Sequence, residues 1–159
     1  MALPTQQLDK VELSGDFGFL DEEGRLHFRG RLKDMVKTGG INVAPLEVEE
    51  FLTTYPAVEQ AYVVGVPDPR KEEVVAAVVV CKPGSTVTAD ELHTFCRQAL
   101  AAFKVPQRIW FVTRDALPLT ASGKVQKHLL RSMLIAEAVP AQDGGSALRE
   151  QESFPGQAR

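Results

Sequence analysis

The 159-residue chain is 44% hydrophobic and 25% charged, an ordinary composition for a globular protein with one modest core or two small ones. Its formal net charge of -3 gives no overall attraction to nucleic acid or to an anionic membrane surface. No apolar stretch approaches the roughly 20 residues that span a bilayer, so a transmembrane segment is not expected.

Cysteine usage and the first residues bear on the compartment. The cysteines, Cys81 and Cys96, lack the spacing of a metal or redox site, so we expect them to be small core residues. They are compatible with a protein of a reducing compartment. Residues 1–4 resemble neither a signal peptide nor an Arg-rich transit sequence. We therefore expect a cytoplasmic protein.

The first predicted element is a β-hairpin that follows residues 1–12, which have no periodicity. Residues 17–20 and 25–29 read as two short strands around an acidic turn that closes at Gly24. His27 lies at an alternating strand position and is interpreted as a surface residue rather than as a ligand or a base.

Residues 30–49 form the stretch around which the chain is organised. Charge is dense at its start, and the adjacent Gly39 and Gly40 allow the backbone to bend sharply or to approach a ligand closely. Pro45 suits the first position of a helix. Two interpretations are open: a hinge beside a binding loop, or a polar hairpin that leads into a surface helix.

The remaining elements predict an α+β fold, a small three-stranded sheet packed with helices. Apolar runs at residues 61–66, 74–80 and 109–112 have strand length, and the second run is apolar throughout, as in a strand covered on both faces. Residues 88–103 begin with a capping-box pattern and continue with helical periodicity. Residues 126–137 predict the last helix.

Three short motifs, taken in order, carry a resemblance to a known family. They are Ser14-Gly15-Asp16, the stretch at residues 30–49, and Pro118-Leu119-Thr120-Ala121-Ser122-Gly123-Lys124-Val125-Gln126-Lys127. Together they resemble the C-terminal part of the adenylate-forming superfamily, which includes acyl-CoA synthetases, the adenylation domains of peptide synthetases, and luciferases. The chain looks most like an acyl-CoA synthetase, and the resemblance covers residues 13–134.

The resemblance also implies a division of the chain. Residues 1–32 would be a linker and a hairpin remnant of a larger N-terminal domain, and residues 33–137 would be the C-terminal lid. Residues 138–159 are polar or small and without periodicity, so we expect a disordered tail.

The family's catalytic lysine falls at Lys124. In such enzymes a carboxylate attacks the α-phosphate of ATP, and negative charge builds between two groups that are already anionic. A lysine on a flexible, glycine-containing loop can place its ammonium group between them and lower the barrier.

The resemblance assigns nucleotide contacts to Asp16, which would accept hydrogen bonds from the ribose hydroxyls, and to Arg31. As structural alternatives, Asp16 could cap its turn and Arg31 could pair with Asp34. Ser14 replaces the family's threonine. Lys33 occupies the hinge position, about which the C-terminal domain rotates after adenylation.

The same resemblance places CoA beside two regions. Gly39 and Gly40 match the loop that lines the pantetheine tunnel, where missing side chains allow close backbone approach. Phe103 and Lys104 lie where some members contact the CoA nucleotide. Glu72 departs from the family, because many members have glycine there, and the turn around it is left open.

The chain contains no Ser/Thr/Gly-rich phosphate loop ending in Pro-Lys-Gly, which the family's large domain carries. We therefore expect a C-terminal portion that needs the large N-terminal adenylation domain as its partner and is inactive alone. ATP, CoA and a carboxylic acid would be the substrates, with Mg²⁺ held mainly by the other domain and no metal site here. The acyl substrate cannot be read from these residues.

Alternative functions are the small domain of a peptide-synthetase adenylation unit and a non-catalytic protein-binding module. The phenylalanines of the hairpin, Phe17, Phe19 and Phe28, would lack their usual packing partner, so we expect them to be exposed or to drive self-association.

Overall fold

The computed structural model describes residues 10–138 and 149–151, and these residues form two β-sheets and three α-helices. The strands are β1 (Lys10–Leu13), β2 (Asp16–Leu20), β3 (Leu26–Arg31), β4 (Val36–Thr38), β5 (Ile41–Val43), β6 (Val58–Asp68), β7 (Glu72–Cys81), β8 (Arg108–Phe111) and β9 (Arg149–Gln151). The helices are α1 (Pro45–Thr53), α2 (Ala89–Arg97) and α3 (Lys127–Ala138). The predicted α+β class is confirmed.

The first sheet is an antiparallel meander of β1, β2 and β3. Strands β2 and β3 are the predicted hairpin, and its turn is closed by a 2.9 Å hydrogen bond from the Gly24 amide to the Asp21 carbonyl. His27 is exposed, as expected, and its Nε2 lies 2.7 Å from Oδ2 of Asp21. Strand β1 extends this sheet into a region where the sequence shows no periodicity.

The second sheet is larger than predicted, with six strands instead of three. Its centre is the predicted set: β7 pairs with β6 in antiparallel fashion and with β8 in parallel. The hairpin β4–β5 joins through the pair Thr38 and Glu72, and β9 pairs with β8. Strands β4, β5 and β9 were missed because each spans 3 residues, too few for an alternating pattern to stand out.

Strand β7 is covered on both faces, which explains why its sequence is apolar throughout. On one face Val75, Ala77 and Val79 pack in a core cluster with residues of α1 and α2. On the other face Val74, Ala76, Val78 and Val80 pack with Trp110 and with Leu130 and Leu134 of α3. Helix α3 is therefore anchored to the second core by apolar contacts.

The helices begin where the sequence predicts. Helix α1 starts at Pro45, and α2 has a complete capping box in which the Thr88 amide donates to Glu91 Oε2 at 2.7 Å. Helix α2 ends at Arg97, however, and residues 102–104 form a separate 3-10 turn. The predicted continuation to Phe103 was wrong: after Arg97 the chain leaves the helix in a turn in which the Ala99 and Leu100 amides both donate to the Cys96 carbonyl, at 3.2 and 2.8 Å.

The cysteines are consistent with a structural role. Cys96 is fully buried in the first core, and burial raises the pKa of its thiol to about 11. Cys81 is half-buried against the same core, where burial also raises its pKa.

The predicted tail is described only in part. Ala138 ends α3 and residues 149–151 form β9, while residues 139–148 and 152–159 lie outside the described residues. Within the described residues, no helix is both long enough and apolar enough to cross a membrane.

Candidate functional site

Lys124 lies on a tight hairpin turn rather than on a loose loop. The Thr120 amide donates to the Lys124 carbonyl at 2.8 Å, and the Gly123 amide donates to the Thr120 carbonyl at 2.9 Å. Gly123 has a φ of 82°, a left-handed conformation that glycine adopts without steric cost. The expected flexible loop is therefore a turn closed by its own backbone, which we call the Lys124 hairpin (residues 118–126).

Hydroxyl groups add to this closure. Thr120 Oγ1 accepts from the Lys124 amide at 3.1 Å and lies 2.9 Å from Ser122 Oγ. Lys124 is exposed, and among residues 10–138 no ion pair or hydrogen bond holds its ammonium group. The hairpin thus fixes the backbone from which the free ammonium group of Lys124 extends into solvent.

The two residues predicted to contact a nucleotide lie opposite each other in the first sheet. Asp16 and Arg31 are cross-strand partners, and Arg31 Nε lies 3.4 Å from Asp16 Oδ1. Both side chains are about half exposed, at 45% for Asp16 and 58% for Arg31. The alternative pair of Arg31 with Asp34 is not formed in the part of the chain that the structure describes.

Lys33 lies between the two sheets. It is the middle residue of a 3-10 turn, Leu32–Asp34, that separates β3 from β4, and its side chain is exposed. The turn is short and is closed by a 3.3 Å hydrogen bond from the Met35 amide to the Leu32 carbonyl. A change of backbone conformation here would reorient one sheet relative to the other.

Gly39 and Gly40 form the two-residue loop of the β4–β5 hairpin. Their φ angles are 56° and 80°, the pattern of a tight hairpin turn that glycine favours at both positions. A Cβ atom at either residue would have no heavy atom within 4 Å. The glycines are therefore required by the turn itself, and the space beside them is open.

Phe103 and Lys104 differ in accessibility. Phe103 is 40% exposed, whereas Lys104 Nζ is held by both carboxylate oxygens of Glu47 at 2.8 and 2.9 Å. The charge of Lys104 is thus already neutralised by a neighbour on α1. An anionic ligand at this position would have to compete with Glu47.

The hairpin phenylalanines are only partly exposed. Phe28 is 55% exposed, as expected, but Phe17 and Phe19 are half-buried. Phe19 stacks on the His27 ring at 4.8 Å between centroids, and the guanidinium carbon of Arg29 lies 4.8 Å from its centroid. The hairpin therefore covers part of its own apolar surface.

The conformation of the turn around Glu72, which the sequence left open, is defined by the structure. Its φ is 72°, so a residue with a side chain occupies a left-handed conformation that favours glycine. The turn before β7 keeps the geometry that glycine would permit at lower cost.

Two ion pairs near the Lys124 hairpin were not predicted. Lys127 Nζ lies 2.5 Å from Glu49 Oε1, and Arg131 Nη2 lies 3.0 Å from Glu73 Oε1. Both cations are on α3, directly after the hairpin. The described residues contain no group of three or more His, Cys, Asp or Glu that could hold a metal ion.

The site thus combines a mixed sheet, an exposed lysine hairpin, a glycine hairpin and a short junction between two sheets. Residues 47–124 match the AMP-binding enzyme C-terminal domain, and the chain belongs to that family.

The similar proteins include acid–CoA ligases. An oxalate–CoA ligase of Arabidopsis thaliana is 44% identical over 117 residues, which cover 74% of this chain and 22% of that protein. The mitochondrial medium-chain acyl-CoA ligase ACSF2 of Mus musculus is 43% identical over 126 residues, 79% of this chain and 20% of that protein. The chain thus spans less than a quarter of the length of these relatives.

Solved structures of related enzymes share the fold of this chain. ATP-bound MatB from Rhodopseudomonas palustris superposes with a TM-score of 0.72 and 41% identity, covering 77% of this chain and 24% of that one. The anthranilate CoA ligase AuaEII, in complex with anthranoyl-AMP, gives a TM-score of 0.70 and 38% identity over 79% of this chain and 24% of that one.

Proposed function

We propose that this chain is the mobile C-terminal lid of an ATP-dependent acid–CoA ligase, with Lys124 as its catalytic residue. The observation that carries the proposal is the exposed, unpaired ammonium group of Lys124 on a hydrogen-bonded hairpin. The similarity to CoA ligases supports the reaction class.

In the first half-reaction a substrate carboxylate attacks the α-phosphate of ATP, pyrophosphate leaves and an acyl-adenylate forms. The Lys124 ammonium would lie between the two anionic groups and stabilise the charge that develops there. The closed hairpin would serve this role because a held backbone limits the positions that the Lys124 side chain can take up. The Mg²⁺ that accompanies ATP would be held mainly by the large domain.

Asp16 and Arg31 would contact the nucleotide of the same substrate. Arg31 contacts one oxygen of the Asp16 carboxylate, and the half-exposed carboxylate has a second oxygen for ribose hydroxyls. The guanidinium group of Arg31 has further donors for ribose or phosphate oxygens. The ion pair would orient both side chains toward one ligand.

In the second half-reaction the CoA thiolate attacks the acyl-adenylate and AMP leaves. Lys33, between the sheets, would be the hinge that withdraws Lys124 and brings the β4–β5 hairpin to the active site. The open space beside Gly39 and Gly40 would admit the thin pantetheine arm. Phe103 would offer an apolar contact to CoA. Lys104 would offer its ammonium group to CoA only by leaving Glu47.

The division of the chain follows from this role. Residues 1–32 would belong to the edge of the large domain and residues 33–137 to the lid, with the large N-terminal domain as the partner. The isolated chain would neither bind ATP tightly nor form adenylates. The exposed ring of Phe28 would pack on the large domain, or on a second copy when that domain is missing.

The alternatives are a carrier-protein acceptor, as in peptide synthetases, and a purely binding role. The relatives named above are CoA ligases, which favours CoA as the acceptor.

The test is to fuse the chain to the large domain of a related ligase and to measure AMP release across a panel of carboxylic acids, with and without CoA. CoA-dependent turnover that is lost in Lys124→Ala and retained in Lys82→Ala, an exposed lysine elsewhere, is expected. Turnover only with a carrier protein would favour the peptide-synthetase role. No Lys124-dependent turnover would overturn both catalytic assignments.

A further inference from the structure

The edge of strand β6 is covered by side chains from both flanking helices. Among the described residues β6 pairs only with β7, so its other edge needs partners for its backbone groups. Glu49 Oε1 of α1 accepts from the Val63 amide at 2.8 Å, and Arg131 Nε of α3 donates to the Gly65 carbonyl at 2.6 Å.

Each of these edge contacts is part of an ion pair. Glu49 also binds Lys127, and Arg131 also binds Glu73. Lys127 and Arg131 are four residues apart, so they lie on one face of α3. The carboxylates are mostly shielded, at 12% exposure for Glu49 and 20% for Glu73, and such pairs are screened less than surface pairs.

Gly65 leaves the space in which the Glu73 carboxylate lies. A Cβ atom on Gly65 would be 2.6 Å from Glu73 Oε2 and 2.7 Å from its Cδ, which is closer than atoms can approach. That same Oε2 accepts from the Lys37 amide of β4 at 3.0 Å, two residues before Gly39. One carboxylate therefore contacts both the strand that leads to the glycine hairpin and the helix that follows the Lys124 hairpin.

Helix α3 begins directly after the Lys124 hairpin. The Gln126 amide donates to the Pro118 carbonyl at 2.8 Å, and the Leu130 amide donates to the Gln126 carbonyl at 3.0 Å. Because Gln126 belongs to both the hairpin and the first helical turn, a shift of that turn moves the hairpin with it.

We propose that Lys127 and Arg131 are positioning residues. Their ion pairs with Glu49 and Glu73, which we call the clamp, attach the start of α3 to the edge of β6. The clamp thereby holds the Lys124 hairpin and the Gly39–Gly40 hairpin in a fixed position relative to each other. The apolar contacts of Leu130 and Leu134 attach the helix, and the clamp fixes its first turn. An effect of the clamp on adenylation rests on the function proposed above, whereas the attachment of α3 to β6 does not.

The structural part is tested by amide hydrogen exchange, read by NMR on the full chain. Arg131→Met, which keeps an aliphatic stem, is expected to accelerate exchange at Lys124 and Lys37 by roughly 5- to 30-fold, the effect of losing 1–2 kcal/mol of restraint. The control is Arg114→Met, which removes an arginine–glutamate pair with Glu59 near the start of β6. Equal acceleration in both variants, or none at Lys124 in Arg131→Met, would overturn the clamp.

Gly65→Ala gives an independent test because it changes no charge. Its Cβ is expected to displace the Glu73 carboxylate and to reproduce the exchange pattern of Arg131→Met at Lys37 and Lys124. Exchange at Val78, in the centre of β7, is expected to stay slow in both variants. If Val78 accelerates equally, the variants loosen the whole domain and the clamp is rejected.

The catalytic part is tested in the fused enzyme. Arg131→Met is expected to lower kcat of adenylation by about tenfold with little change in the KM for ATP, because a misplaced Lys124 affects the transition state more than nucleotide binding. An unchanged kcat, or a loss confined to KM, would contradict the positioning role. If the unmodified fusion forms no adenylate, the proposed function fails, and the exchange experiments still decide the clamp.

Discussion

Arg31 and Asp16 face each other across strands β2 and β3, with Nε 3.4 Å from Oδ1. The sequence resemblance assigned each residue separately to the nucleotide, and the fold makes them one ion pair on an exposed sheet. An exposed pair of this kind contributes at most about 1 kcal/mol to stability. The stability of the sheet therefore depends little on this pair.

We predict that Arg31→Met raises the KM for ATP of the fused enzyme by roughly 10- to 150-fold, since one charge-assisted hydrogen bond is worth about 1.5–3 kcal/mol. The thermal midpoint of the isolated chain is expected to change little. The matched control is Arg25→Met, which removes an exposed ion pair with Asp21 in the turn between β2 and β3. A large loss of stability with an unchanged KM would assign Arg31 a structural role instead.

Glu72 is predicted to be a site of backbone strain that glycine relieves. The left-handed conformation costs a residue with a Cβ about 1–2 kcal/mol, and the extra freedom of glycine in the unfolded chain offsets about 0.5–1 kcal/mol of this. Glu72→Gly is therefore expected to raise the free energy of unfolding by up to about 1 kcal/mol, measured by urea denaturation.

Glu72→Ala is the control, because it removes the carboxylate and keeps the Cβ. It is expected to leave stability near that of the unmodified chain. If alanine stabilises as much as glycine, the effect comes from charge and the strain argument is wrong.

The hairpin turn at Asp21 predicts a pH effect. Hydrogen bonds from His27, the largest cause, and from the Arg25 backbone lower the pKa of Asp21 to about 2 from an ordinary 3.8. Since the folded value lies below the unfolded one, the stabilisation is present above about pH 4 and is lost as the pH falls toward 2.

His27→Phe keeps an aromatic ring over Phe19 and removes the hydrogen bond, so the pKa of Asp21 is expected to rise toward 3.8. An NMR titration of the Asp21 carboxyl measures this directly. An unchanged pKa would mean that the backbone amides and the Arg25 guanidinium group hold the carboxylate without His27.

Local signals were sufficient for much of the fold. The Thr88–Glu91 capping box, the proline at the start of α1 and the apolar run of β7 each act within a few residues. Both helices begin where predicted, and β7 contains the predicted run 74–80 with two more residues before it and one after it. The adjacent glycines at 39 and 40 likewise indicated a tight turn.

Long-range pairs could not be predicted in this way. Glu73 and Arg131 are 58 residues apart, and nothing in either neighbourhood indicates which of the many charged residues will meet. Strands β4 and β5 are too short to show a period. The Arg31–Asp16 pair depended on the register of β2 and β3, which a bulge between Phe17 and Gly18 shifts.

The most direct test of the central claim separates the two half-reactions of the fused enzyme. Lys124→Ala is expected to slow acyl-adenylate formation from acid and ATP by roughly 100-fold, the usual effect of removing one transition-state donor. Thioester formation from a supplied acyl-adenylate and CoA is expected to remain close to normal, because the proposed hinge motion would withdraw Lys124 in that step. Equal loss in both half-reactions, or adenylation that is indifferent to Lys124, would contradict the account.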